Sequence, residues 1–268
     1  MPLVSRIQRF CPDDGPGVRT TVFFKGCPLS CPWCHNPECI LPGKSLYFDE
    51  HLCIGCGRCH GQSVLPEGGC PAGALLQDGT PLSPEEIVAE AKKDALYYGK
   101  DGGLTLSGGE PLLYPDFLTE VCALAAEAGI CVAIDTSLAV PWAHIEKLLP
   151  FGPLFLTDLK TADPAVHKAL VGADNSLILQ NLARLAKSGA RYWLSIPVVM
   201  GANESQLPAM AKIVQNLPAP PERLRLLPYH NMGIKKEQLY RLAPRGRFGP
   251  PTDEQLTEFY RLFGCDAP

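Results

Sequence analysis

The chain has 268 residues, 46% hydrophobic and 19% charged, and a formal charge of −4 from 24 basic and 28 acidic side chains. That fits one globular domain with room for a small insertion and a core large enough to need no disulfide staples. The charge advertises no basic face, so nucleic acid is excluded as the main partner. No apolar run reaches the roughly 18 residues that a membrane crossing takes. The N-terminal MPLVSRIQRF lacks the apolar stretch of a secretory signal. The expectation is a cytoplasmic protein whose twelve cysteines are metal ligands, reactive thiols or small buried side chains.

In chain order, Thr20–Lys25 reads as a short buried strand that stops at Gly26. A loop with Cys27, Cys31 and Cys34 follows at once. From 39 to 79 periodicity is lost and cysteines and glycines accumulate. This stretch reads as an insertion between two parts of one core, 1–38 and 80–268. Ser83, Pro84 and Glu86 then open a helix with a capping box. A strand at 104–107, a helix from Pro115, a strand at 131–135, a helix at 141–149 and a strand at 154–160 follow. Next come a short helix opened by Asp163 and Pro164, a helix at 175–188 and a strand at 191–199. A helix at 204–217, a strand at 223–229 and a helix after Thr252 complete the chain.

Strands alternating with helices mean βαβ units and a parallel sheet. Six strands are too few for a closed eight-stranded barrel. The expected class is therefore α/β, as a partial open barrel or an open sheet, with ligands at the C-terminal strand ends. The unusual polar groups fall there: the cysteine loop, Ser107-Gly108-Gly109-Glu110, Asp135-Thr136-Ser137, Asp158-Leu159-Lys160 and His230.

Cys27, Cys31 and Cys34, spaced CxxxCxxC, set three thiolates on one short loop. They can hold three irons of a cubane and leave the fourth iron open to a substrate. The alternatives are a zinc site completed by His35 and a Cys31–Cys34 redox pair. The first is cramped because His35 adjoins Cys34, and the second gives Cys27 no role. Cys53, Cys56 and Cys59 open a ferredoxin-like run, and Cys70-Pro71 closes it after ten intervening residues. The insertion has five cysteines, counting Cys39, and two clusters would need eight, so one auxiliary [4Fe-4S] cluster is expected. Cys39 rivals Cys70 as its fourth ligand, and a zinc site involving His60 is the other reading. Cys122 and Cys131 read as buried small side chains, Cys11 as non-ligating and Cys265 as incidental.

This pattern resembles the radical S-adenosylmethionine (SAM) superfamily, whose members carry CxxxCxxC after the first strand of a partial (β/α)6 barrel. Asp14-Gly15-Pro16-Gly17-Val18-Arg19-Thr20, Phe23-Phe24-Lys25-Gly26-Cys27 and Trp33-Cys34-His35-Asn36-Pro37-Glu38 narrow the likeness. They are similar to the activating enzymes of glycyl radical enzymes, of the pyruvate formate-lyase activating type, over nearly the whole chain. The resemblance implies that Gly108, Gly109 and Glu110 bind the amino group of SAM. It implies that Asp158, Leu159 and Lys160 hold SAM, with Lys160 on its carboxylate. Trp33, Cys34 and His35 lie beside it, and His230 in Leu227-Pro228-Tyr229-His230-Asn231-Met232-Gly233 touches it. Asp135, Thr136 and Asp158 are the implied ligands of a monovalent cation. The chain departs from the pattern at Asp135-Thr136-Ser137-Leu138, where relatives often have Asp-Thr-Asn-Gly, and at Met200, where proline is common.

The implied chemistry is one-electron cleavage of SAM by the catalytic [4Fe-4S] cluster, giving methionine and a 5′-deoxyadenosyl radical. That radical removes a hydrogen from a backbone glycine of a partner glycyl radical enzyme. Flavodoxin or ferredoxin would supply the electron to a monomeric, oxygen-sensitive protein. No acid/base dyad is evident, because the cofactors carry the chemistry. The auxiliary cluster would relay electrons or organise the partner interface. The alternatives are a radical SAM enzyme acting on a small molecule or peptide, and an electron carrier without turnover. The last leaves Glu110, Lys160 and His230 without a role.

Overall fold

The computed structural model describes residues 1–61 and 64–265. The chain begins with β1 (Leu3–Cys11) and β2 (Arg19–Phe24), followed by β3 (Ser45–Phe48), β4 (Leu75–Asp78) and β5 (Thr80–Pro81). Helices α1 (Pro84–Lys92) and α2 (Pro115–Glu127) flank β6 (Gly103–Gly108). Then come β7 (Cys131–Thr136), α3 (Trp142–Glu146), β8 (Leu154–Asp158), α4 (Pro164–Val171) and α5 (Ser176–Lys187). The chain ends with β9 (Tyr192–Val198), α6 (Leu207–Gln215), β10 (Arg223–Pro228), α7 (Met232–Leu239) and α8 (Asp253–Leu262).

One sheet runs β10-β9-β8-β7-β6-β2-β1-β5, and β3 and β4 form a separate antiparallel pair. The six strands expected from the sequence are the parallel ones, β2 and β6 to β10. Both faces of β2 are buried, which is why RTTVFF reads as a continuous rather than alternating strand. The sheet is therefore mixed α/β and largely parallel, an incompletely closed (β/α)6 barrel. No helix among the described residues is long and apolar enough to cross a membrane.

Besides the short strands β3, β4 and β5, two elements go beyond the sequence reading. β1 pairs antiparallel with β2 through a register broken twice, so its side chains do not alternate cleanly and no period-two signal is left in the sequence. Helix α7 buries only Gly233 and Glu237, so it has almost no apolar stripe to announce it. The capping box of α1 is present: the Glu86 amide donates to Ser83 Oγ at 3.3 Å, and the Ser83 amide donates to Glu86 Oε2 at 2.8 Å.

The glycine-rich segment before β2 acts as a clamp. The guanidinium of Arg19, 1% exposed, donates to Thr105 Oγ1 at 2.9 Å and to the carbonyls of Leu104, Asp101 and Cys131 at 2.7, 3.1 and 3.3 Å. It stitches β2 to β6 and β7 at the strand ends remote from the cysteine loop. Gly17 has φ of +67°, and a Cβ there would meet the Gly102 amide nitrogen at 2.6 Å.

A second buried cation locks the segment 39–79 in place. Lys25 directly follows β2, and its fully buried ammonium donates to Asp78 Oδ2 (2.8 Å), the Glu38 carbonyl (2.8 Å) and Ser45 Oγ (2.9 Å). Glu38 and Asp78 flank the segment, so one ammonium joins both its ends to the strand that leads into Cys27. Removing one partner strands the other charge in a dry site. Lys25→Met is expected to cost about 3–5 kcal/mol, and Lys25→Met with Asp78→Leu distinctly less. Anaerobic guanidinium unfolding of the three proteins measures both.

Candidate functional site

The parallel strands end around a cavity of about 940 Å³. Cys27, Cys31 and Cys34 line it from the loop after β2, with Trp33 and His35 between and beside them. The loop is pinned by backbone bonds. The Gly26 amide donates to the Cys39 carbonyl at 2.7 Å, Cys27 to Ile40 at 2.9 Å, and Ser30 to Val171 at 2.9 Å. Asn36 Oδ1 accepts from Arg6 at 2.6 Å and from Lys236 Nζ at 2.7 Å. The buried carboxylate of Glu38 pairs with the same two cations, Lys236 at 3.0 Å. The segment after Cys34 is thus anchored to β1 and α7, a role for Arg6 and Lys236 that no spacing in the sequence signals.

All twelve cysteines are free. Burial pushes the Cys27, Cys31 and Cys34 thiols up, Cys31 to about 12. A buried thiolate becomes favourable only when a cation neutralises it, which is the state a metal centre supplies.

Gly108 and Gly109 line the same cavity where β6 meets β2. A Cβ on Gly109 would meet the Gly26 carbonyl oxygen at 2.1 Å, and one on Gly108 the Phe24 amide nitrogen at 2.3 Å. Glycine at both positions is what lets the two strand ends touch. Glu110 and Leu159 depart from the expected SAM contacts. Glu110 is fully buried and absent from the cavity wall. Its Oε1 accepts from Thr136 Oγ1 (2.8 Å) and the Leu112 amide (3.1 Å), and its Oε2 from the Ser137 amide (2.8 Å) and Ser137 Oγ (2.6 Å). Those four bonds use the acceptor capacity of a carboxylate, so no lone pair is left for an ammonium. Burial raises its pKa while the four donors oppose the rise. Leu159 packs into the core at 1% exposure, because strand alternation turns it away from Asp158 and Lys160.

Asp158 and Lys160 do line the cavity, joined at 2.8 Å. Burial alone would favour neutral Lys160, but Asp158 and the thiols of Cys31 and Cys27 override it and hold the ammonium charged. Asp135 accepts from Ser107 Oγ at 2.6 Å and faces the same space. Burial and then repulsion from Asp158 raise its pKa. Thr136 lines the wall, but its hydroxyl is turned to Glu110. His35 and His230, widely separated in sequence, stack with ring centroids 3.7 Å apart. Burial and the neighbouring His230 and Lys236 push the His35 imidazole down to about 4.

A second cavity, about 220 Å³, lies in the segment 39–79 and is lined by Cys53, Cys56, Cys59 and Cys70. Cys39 is not on its wall; it is completely buried, and its carbonyl accepts from the Gly26 amide. Sequence reasoning also passed over Trp193, Arg223 and Arg225, which face the large cavity from β9 and β10.

The Radical SAM superfamily model matches residues 21–214. The benzylsuccinate synthase activating enzyme of Thauera aromatica is 36% identical over 88% of this chain and 81% of its own. The trans-4-hydroxy-L-proline dehydratase activating enzyme of Clostridioides difficile is 34% identical over 98% of this chain and 96% of its own. A solved domain of the pyruvate-formate lyase-activating enzyme from Bacteroides vulgatus superposes with a TM-score of 0.53 at 30% identity, covering 62% of this chain and 98% of that one.

The bonding of Glu110 makes a separate prediction. Glu110→Gln puts an amide NH2 where an oxygen now faces two donors. It should cost about 2 kcal/mol and speed amide exchange at Ser137, read by hydrogen–deuterium exchange.

Proposed function

This chain belongs to the radical SAM superfamily and to its activating enzymes, and we propose that it installs a radical on a backbone glycine of a partner glycyl radical enzyme. The observation that carries the reading is the convergence of three loop thiols, Gly108-Gly109, the Asp158–Lys160 pair and the stacked His35–His230 pair on one cavity. Relatives over most of both chains are activating enzymes, which supports the partner class.

The donor set fits a cubane with one open iron: three thiols on one pinned loop, Cys31 buried and Cys27 and Cys34 half-buried, facing a roomy cavity with polar and apolar walls. When bound, the cluster supplies the single electron that splits SAM into methionine and the 5′-deoxyadenosyl group that takes the glycine hydrogen. The chain's own residues orient and shield. Lys160, kept charged by Asp158, meets the SAM carboxylate. The backbone at Gly108 and Gly109 faces the amino group, since Glu110 is committed elsewhere. His35 and His230 offer a ring pair on which an adenine packs. Leu29, Trp33 and Leu156 exclude water from the walls. Asp135 and Asp158, both facing the cavity, would share a monovalent cation. The segment 39–79 forms the insertion, and the four cysteines around its cavity hold one auxiliary [4Fe-4S] cluster, with Cys70 as the fourth ligand. A flavodoxin or ferredoxin is the donor class, and the protein works as a cytoplasmic monomer.

Incubated anaerobically with its glycyl radical partner, SAM and reductant, the protein should generate an organic doublet by EPR. SAM cleavage without a doublet would sink the activase reading. Reconstituted protein should carry about eight irons. Cys70→Ser should lower the count toward about four, and Cys39→Ser should leave it near eight, measured by iron and sulfide analysis.

A further inference from the structure

The end of the large cavity farthest from the cysteine loop carries charges that the SAM reading does not use. Arg223 and Arg225 lie two apart on β10, so both face inward. Their register partners on β9 are Trp193 and Ser195. Both guanidiniums sit against the Trp193 ring, at 5.0 and 5.3 Å from its centroid. Arg225 Nε and Nη2 donate to Ser195 Oγ at 3.2 and 3.0 Å, and Nη1 donates to the Asp13 carbonyl at 3.2 Å. That last bond crosses the open seam of the barrel, because β10 ends the sheet and Asp13 precedes β2.

Among the described residues the one other lysine or arginine that faces this cavity, Lys160, is answered by the Asp158 carboxylate. Among the described residues neither Arg223 nor Arg225 has a carboxylate within ion-pair distance. Two guanidiniums packed against one tryptophan ring, with a hydroxyl and a carbonyl fixing the inner one, make a preorganised cationic pair. Such a pair matches the two oxygens of a carboxylate.

SAM itself does not account for the pair. Arg223 is five strand steps of about 3.3 Å, roughly 17 Å, from the β10 end that leads to His230 and the cysteine loop. The SAM carboxylate has Lys160 at that end. A partner segment entering through the seam would pass the pair.

We propose that Arg223 and Arg225, mounted on Trp193, form a carboxylate subsite for an acidic side chain of the partner segment that carries the target glycine. The inference rests on the activase reading and adds a specificity determinant to it. The subsite fixes which residues of the segment lie along β10, and so which α-carbon reaches the reacting end.

The probes are acetylated, amidated alanine peptides with one α-deuterated glycine and a single glutamate, about five residues before or after it to match the 17 Å span. Each has a glutamine twin. Binding is measured anaerobically on the reconstituted protein with SAM present. At least one glutamate peptide should bind roughly tenfold tighter than its twin, the size of a charged hydrogen-bonded contact. The preference should vanish in Arg223→Gln/Arg225→Gln, shrink in Arg223→Gln and persist in Arg225→Lys, with SAM affinity unchanged throughout. Arg223 is exposed, so its single variant keeps the test valid if the double variant folds poorly. Equal binding of the twins, no binding of either, or loss of SAM affinity in the single variant would overturn the subsite. Deuterium in 5′-deoxyadenosine from either twin would leave the activase reading standing when the subsite falls. A glutamate preference without the EPR doublet on a partner would do the reverse.

Discussion

A lysine ammonium with no access to water must find oxygen partners, and Lys25 finds them on both sides of the break in the fold. Asp78, Ser45 and the Glu38 carbonyl converge on it within 2.9 Å. The strand that delivers Cys27 is thereby tied to the segment that carries five further cysteines. Neither piece can shift without exposing or orphaning a buried charge, which costs far more than a surface contact returns. The Gly26 and Cys27 amides reinforce the tie through the Cys39 and Ile40 carbonyls. The position of the cysteine loop therefore depends on the ends of the segment 39–79 as much as on the parallel strands.

Around that anchor, the site is built from polar groups that satisfy one another before any ligand arrives. Glu110 holds the turn after β7, Ser107 holds Asp135, and Asp158 holds Lys160. Preorganisation of this kind keeps charges aimed into a cavity whose walls are partly apolar, where they act at a lower effective dielectric than in water. It also explains why a carboxylate next to two cavity-lining glycines can be structural. The close approach of β6 to β2 turns Glu110 inward, and its donors come from the neighbouring strand end.

Much of this was legible without coordinates. The parallel strands announce themselves because burial on both faces demands continuous apolar runs, as in Thr20–Phe24. Chemistry-bearing residues sit at strand C-termini because that is where loops leave the sheet, so their order along the chain already grouped them. β1 was not legible, since an irregular antiparallel strand has no clean period. Nor was α7, whose contacts are the ionic ones of Lys236 to Glu38 and Asn36 rather than an apolar stripe.

Spacing along one loop is local, so the sequence by itself determined the two cysteine groups and the α/β class. Orientation is not local. Whether Glu110 faces a ligand or a neighbouring strand, whether Cys39 or Cys70 joins the insertion cavity, and whether Arg223 and Arg225 share one tryptophan depend on which strands lie side by side. Only the tertiary structure decided these, because register between distant strands sets the neighbours of every side chain at their ends.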